Sequence, residues 1–126
     1  MATILCIDDD DPLRMLCQTA LEGAGYRVLI AESGQHGLRL LEHQEVDLIL
    51  VDIFMPDMDG IELIQILRKT WPAIKLIAMT AGKGVRNYLG MAEHLGAHGT
   101  LQKPFTRQEL LDVVASQLGP PNPAST

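Results

Sequence analysis

Three short runs of apolar residues constrain this chain more than any other feature. They are Ile4-Leu5-Cys6-Ile7, residues 46–51 (VDLILV, with Asp47 near its start) and residues 74–79 (IKLIAM, broken only by Lys75). A strand with one wet face alternates apolar and polar side chains. A run without alternation reads instead as a strand buried on both faces, as in a parallel sheet covered by helices. Residues 26–31 and 99–102 are two weaker strand candidates. Between the five lie segments of helical period. Leu13, Leu16, Cys17, Ala20 and Leu21 share one face, and Gly23 and Gly25 close that segment. Ser33 caps a second helix reaching about Gln44, and Ile61, Ile64 and Leu67 mark a third, stopped by Trp71-Pro72. Residues 85–95 give a fourth, ending at Gly96, and Thr106 with Glu109 forms a capping box for a fifth carrying Leu110, Leu111, Val114 and Leu118. Five alternations of strand and helix predict a single α/β domain, a parallel sheet joined by right-handed crossovers.

A chain of 126 residues is long enough for one well-filled core. Residues 1–118 are assigned to the domain, and residues 119–126 (GPPNPAST) to a disordered tail or linker stub, because Pro and Gly stop the last helix and nothing apolar follows. A net charge of −6 leaves no basic surplus to neutralise phosphates, which argues against direct nucleic-acid binding. No apolar run approaches the length of a membrane span, and Asp8 follows Met1 too soon for a signal peptide. Cys6 and Cys17 have neither CxxC nor metal-site spacing and read as small hydrophobes in a reducing compartment. The expected location is cytoplasmic.

Ligands of open parallel α/β sheets sit outside the carboxyl ends of the strands, so the residue that follows each strand is the informative one. Asp8 and Asp9 follow the first strand, Asp52 the third, Thr80 the fourth and Lys103 the fifth. Two carboxylates about 4 Å apart repel by roughly 4 kcal/mol at an effective dielectric near 20, so such a cluster calls for a cation or open solvent. Carboxylates without Cys or His suit a hard divalent ion such as Mg²⁺. Asp52 would then act as a nucleophile toward a phosphoryl group, with Lys103 neutralising charge and Thr80 donating its hydroxyl.

The motifs IDD at Ile7-Asp9, VDIFMPDMDG at Val51-Gly60, MTA at Met79-Ala81 and KPF at Lys103-Phe105, in this order, resemble the receiver domain of two-component response regulators over residues 2–118. The resemblance implies a flavodoxin-like (βα)5 doubly wound sheet with strand order 2-1-3-4-5. It implies Asp52 as phospho-acceptor, and Mg²⁺ held by Asp9, Asp52 and the backbone carbonyl of Phe54, with Asp8 assisting through water. It also implies Thr80 and Lys103 on the phosphoryl group and a cis Lys103-Pro104 bond. The implied partners are a sensor histidine kinase or histidine phosphotransfer protein as donor, and a downstream protein target bound on the face of the fourth helix, fifth strand and fifth helix. Asp8 and Asp9 are preferred as the acidic pair, with Asp9 and Asp10 as the alternative register; Asp10 and Asp11 are then read as helix-capping residues.

Other polar residues have plainer readings. Asp57 and Asp59 belong to a Pro/Gly turn, and His36, His43, His94 and His98 show no ligand spacing. Met55 and Met58 are expected to pack near the loop, and Trp71 to lie at the end opposite the site. Two departures from the family pattern stand out. Thr100 occupies the switch position, three before Lys103, where many receivers carry an aromatic, so output is expected to run through Thr80 and the loop Gly82-Lys83-Gly84. The segment from Thr80 to Gly96 is also about one residue longer than usual. Phe54, two after Asp52, is expected to shield an acyl phosphate from water, and it occupies the slot where an aspartyl-phosphate phosphatase carries an acid. That enzyme, and a degenerate receiver serving only as a binding module, are the rival readings.

Overall fold

Apolar side chains on both faces of the central strands require helices on both sides of the sheet. The computed structural model, which describes residues 1–55, 58–80, 90, 93, 94 and 96–119, has that form. Strands β1 (Thr3–Ile7), β2 (Arg27–Ala31), β3 (Leu48–Asp52), β4 (Lys75–Thr80) and β5 (Gly99–Gln102) lie in the order β2-β1-β3-β4-β5, all paired in parallel. This is the doubly wound, flavodoxin-like order. The strand order reverses at β1, whose neighbours β2 and β3 lie on opposite sides, and this places a crevice at its carboxyl end.

Alternation along the strands sorts the core into two layers. Leu5, Ile7, Ile49, Val51, Leu76 and Ala78 pack with Leu41 of α2 (Gly34–His43) and with Leu63, Ile64 and Leu67 of α3 (Gly60–Thr70). Ile4, Cys6, Leu48, Leu50, Ile77 and Met79 face the other way. They meet Cys17, Ala20 and Leu21 of α1 (Asp11–Gly23) and Leu110 and Val114 of the last helix, Arg107–Leu118. Each fully buried aliphatic side chain contributes about 1.5–3 kcal/mol, so these two layers hold the strand ends in fixed register. Both cysteines are free and buried, as expected of small hydrophobes.

Local chemistry sets the boundaries. Asp52 and Thr80, expected just beyond their strands, are instead the last strand residues, opposite Met79 and Gln102. A backbone continues its ladder whatever the polarity of the side chain it carries. β3 begins at Leu48 rather than residue 46. The acid in that run is satisfied at the far end of the sheet, where Thr3 N donates to Asp47 Oδ2 (2.8 Å) and Asp47 N donates to Thr3 O (2.8 Å). Ser33 caps α2 by accepting from His36 N (3.1 Å), and Thr106 and Glu109 form the reciprocal capping box. Asp59 caps α3 by accepting from Ile61 N (2.8 Å), in line with its reading as a turn residue.

Asp10 and Asp11 stand at the start of α1, where their charges suit the helix dipole as expected, but neither makes a side-chain cap bond. Asp10 occupies the N-cap position of α1 but its side chain makes no cap bond; Pro12 at the second helical position has no N–H, and the amide of Leu13 at the third is not engaged either. Asp11 lies in the first turn and pairs with Arg14.

Of the fourth helix expected over residues 85–95, Gly90, Glu93 and His94 are described, and all three are helical. The remainder of that segment, the loop Gly82-Lys83-Gly84, Asp57 and residues 120–126 lie outside the described residues. Lys103-Pro104 is cis. Among the described residues no helix is long and apolar enough to cross a membrane.

Candidate functional site

The carboxyl ends of β1, β3, β4 and β5 bring the polar residues to one edge. Asp8 N donates to Ala31 O (3.1 Å), which extends the β1–β2 ladder by one residue and turns the Asp8 side chain into the protein. That side chain is 0% exposed. Its Oδ1 accepts from Asp10 N (2.9 Å) and its Oδ2 from Lys103 Nζ (2.6 Å). Asp52 is 5% exposed; its Oδ1 accepts from Phe54 N (3.0 Å) and its Oδ2 lies 3.3 Å from Lys103 Nζ. Lys103 is placed by its own backbone, whose N–H donates to Thr80 O (2.7 Å). Asp9 is exposed, yet one carboxylate oxygen from each of Asp8, Asp9 and Asp52 lies within 4.8 Å of the other two. Asp10 is not in this group, so the alternative register Asp9–Asp10 does not describe the site's geometry.

The loop after β3 is shaped by one glycine. Ile53 N donates to Met79 O (2.9 Å), and Gly60 N donates back to Ile53 O (2.9 Å). A Cβ on Gly60 would stand 2.3 Å from Ile53 Cα, closer than any side chain can approach. This closure fixes the segment that carries Phe54, a residue that is 45% exposed.

The electrostatics are unbalanced. Burial first, and then the Asp8 charge, push the Asp52 carboxyl up to about 6; the Phe54 N–H and Lys103 pull against them. Burial works against the Lys103 ammonium, but its hydrogen bond to Asp8 and the charges of Asp8 and Asp52 more than offset this and hold its pKa above the usual lysine value. Asp8 and Asp52 therefore share one ammonium, and Asp9 adds a third carboxylate with no ion pair among the described residues. A hard, oxygen-seeking cation fits this donor set, which contains no sulfur or imidazole. At the same edge the Thr80 hydroxyl is buried with no hydrogen-bond partner among the described residues, a state that normally costs about 1–3 kcal/mol.

Other residues sort as follows. Thr100 sits on β5 opposite Ala78, half-buried. Met55 and Met58 pack against the α2/α3 layer, as does Trp71, which ends α3 ahead of β4 and so lies away from the acids. No histidine joins the acid cluster; His98 Nδ1 instead accepts from Leu76 N (3.1 Å) at the start of the β4–β5 pairing. Two contributions escaped the sequence reading. Arg14 donates through Nη1 to Asp8 O (2.6 Å), and Gly60 closes the β3 loop.

An acidic cluster, a lysine and a threonine at the strand ends of a 2-1-3-4-5 sheet define the receiver class, and comparison with known proteins agrees. The chain belongs to the response regulator receiver domain family, whose model matches residues 4–115. It is a receiver domain of the two-component response-regulator type, a signalling domain. It is 33% identical over 124 residues to the transcriptional regulatory protein GlrR of Escherichia coli, covering 98% of this chain and 28% of that protein. To the KDP operon transcriptional regulatory protein KdpE of Escherichia coli it is 38% identical over 110 residues, covering 87% and 48%. The sensor kinase CckA of Brucella abortus matches at 37% over 119 residues, 93% of this chain and 12% of that one. The chain thus spans about half the length, or less, of these curated relatives. Among solved structures, a CheY-like receiver domain protein of Methanospirillum hungatei superposes with a TM-score of 0.87 at 32% identity, over 94% of each chain. The response regulator TrrA of Thermotoga maritima, solved in complex with Mg²⁺-BeF, gives 0.82 at 31% identity over 93% and 99%.

Proposed function

We propose that this domain accepts a phosphoryl group from a phosphohistidine donor onto Asp52, in a Mg²⁺-dependent reaction, and that the resulting acyl phosphate switches its binding to a downstream protein. One observation carries the reading. Three carboxylate oxygens lie within 4.8 Å of one another, two of the three acids pair with the Lys103 ammonium, and a buried hydroxyl at the same edge has no partner among the described residues. The Mg²⁺-BeF complex of the similar TrrA supports the same chemistry here.

Asp9, Asp52 and the Phe54 carbonyl are assigned to hold the cation, with Asp8 contributing through water. When bound, Mg²⁺ supplies charge neutralisation at the phosphoryl oxygens. Asp52 is the nucleophile: one carboxylate oxygen forms a bond to phosphorus while the phosphorus–nitrogen bond to the donor imidazole breaks, and the imidazole leaves with the electron pair and takes up a proton. Lys103 offsets the charge that accumulates as the phosphoryl group arrives, and the Thr80 hydroxyl donates to one of its oxygens. Hydrolysis by water later returns the carboxylate, and the Phe54 side chain limits that approach.

The added charge, about −1.5 to −2 at neutral pH, biases a two-state equilibrium in the face built by the fourth helix, β5 and the last helix. Thr80 and Thr100 are the switch positions on that route. Residues 1–118 are the folding unit and residues 119–126 a tail or linker stub. The donor is a sensor histidine kinase or histidine phosphotransfer protein, met in the cytoplasm. Recognition of the target is assigned to a protein surface, since a chain of net charge −6 has no basic surplus to neutralise phosphates.

Incubation with acetyl phosphate and Mg²⁺, followed by intact-mass measurement, tests the proposal. A stoichiometric, hydroxylamine-labile phosphoryl adduct that is absent from Asp52→Asn supports it. Continuous turnover of phosphate esters would favour an aspartyl-phosphate phosphatase instead, and the absence of any adduct a degenerate binding module.

A further inference from the structure

The run Asp8-Asp9-Asp10-Asp11 is organised by a single cation in the first turn of α1. Arg14 Nη1 donates to the backbone carbonyl of Asp8 (2.6 Å), Arg14 Nη2 pairs with the Asp11 carboxylate, and Arg14 N donates to Asp10 O (3.0 Å). The Arg14 side chain is only 12% exposed. Asp9, between these anchors, has no hydrogen bond or ion pair on its carboxylate among the described residues, although that carboxylate completes the acid cluster. Its place is therefore set by its backbone, and Arg14 grips that backbone on both sides: the guanidinium on the Asp8 carbonyl, the amide on the Asp10 carbonyl.

We infer that Arg14 is a positioning residue for divalent-cation binding, holding the Asp8–Asp9 peptide so that the Asp9 carboxylate faces Asp8 and Asp52. This rests on the proposed function. It also opposes what charge alone dictates. A guanidinium beside an acidic pocket repels an incoming cation, so its removal should strengthen Mg²⁺ binding if electrostatics were its only role. Positioning gives the opposite sign. A charge-assisted hydrogen bond to a backbone carbonyl fixes the peptide, and without it Asp9 must be ordered again each time the cation binds. Lysine at this position keeps the charge but is a single point donor that cannot replace the planar fork spanning Asp8 O and Asp11.

Calorimetric titration of the whole chain with Mg²⁺ distinguishes the two. Arg14→Ala is expected to bind Mg²⁺ about tenfold more weakly and Arg14→Lys to fall in between. In acetyl phosphate-driven phosphorylation the half-saturating Mg²⁺ concentration rises by a similar factor, while the maximal rate stays within about twofold, a split that general loss of structure would not produce. In metal-free protein, the Asp10 amide, which donates to Asp8 Oδ1, exchanges faster with solvent in both variants. Unchanged or tighter Mg²⁺ binding by Arg14→Ala overturns the inference and leaves the proposed function standing. If the parent chain itself binds no Mg²⁺, both fall. Should Arg14→Ala fail to fold, Arg14→Lys decides, and parent-like affinity in that variant overturns the role.

Discussion

In metal-free buffer at neutral pH, Asp52→Asn is expected to be more stable than the parent chain. Asp52 is buried beside the fully buried Asp8, and desolvation together with that charge moves its pKa from 3.8 up to about 6. A carboxyl whose folded pKa exceeds its unfolded one binds more protons in the folded state between those two values. Ionised Asp52 therefore costs stability in full above about pH 6, and this cost vanishes below about pH 3.8. One pKa unit corresponds to about 1.4 kcal/mol, so the interval amounts to about 3 kcal/mol at most. Asparagine keeps the shape and can still accept from Phe54 N, and an imperfect fit to the carboxyl trims the expected gain to about 1–3 kcal/mol. The assay is urea unfolding followed by circular dichroism with chelator present, repeated across pH. The advantage of Asp52→Asn should shrink as pH falls through about 6 toward 3.8. Saturating Mg²⁺ should then favour the parent, since a ligand that binds only the folded state stabilises it by RT ln(1 + [L]/Kd). A variant equal to or less stable than the parent at neutral pH without metal would refute the reasoning.

Lys103→Ala leaves the fully buried Asp8 carboxylate without its 2.6 Å counter-ion and should cost about 3–5 kcal/mol in metal-free urea titrations, with part restored by Mg²⁺; a loss near zero would remove the lysine from the site's support. Gly60→Ala forces a methyl against Ile53 Cα and should cost about 1–3 kcal/mol in equilibrium unfolding, whereas a neutral result would mean the β3 loop opens freely. His98 has its pKa lowered by burial first and then by Lys75 and Arg68, so the stability its neutral ring contributes is complete above pH 6.5 and is lost as pH falls below that value. His98→Asn offers an uncharged acceptor to Leu76 N and should flatten this acid-side loss of unfolding midpoint; a variant as pH-sensitive as the parent excludes His98 as its source.

The strands were legible because three of them are apolar without alternation, and only a sheet covered on both faces buries such runs. Asp8, Asp52, Thr80 and Lys103 were legible because strand order fixes where carboxyl ends lie. Residue spacing could not choose decisively between Asp8–Asp9 and Asp9–Asp10. The choice depends on the bond from Asp8 N to Ala31 O and on Lys103, far along the chain. Asp47 bonding to Thr3, and the His98 ring accepting from Leu76 within the sheet, are contacts across 44 and 22 residues that no local pattern announces. Asp10 takes the N-cap position as expected, but its missing side-chain bond was only partly readable: Pro12 removes one amide such a cap could serve, and the Leu13 amide remains.

A crystal structure of the chain with Mg²⁺ and beryllofluoride, an analogue of the phosphoryl group, tests the central claim most directly. The expected result is beryllium on an Asp52 carboxylate oxygen, Mg²⁺ among Asp9, Asp52 and the Phe54 carbonyl, and the Thr80 hydroxyl and Lys103 ammonium on the fluorines. Beryllofluoride bound elsewhere, or a pocket that takes up neither ion at saturating concentrations, would contradict it.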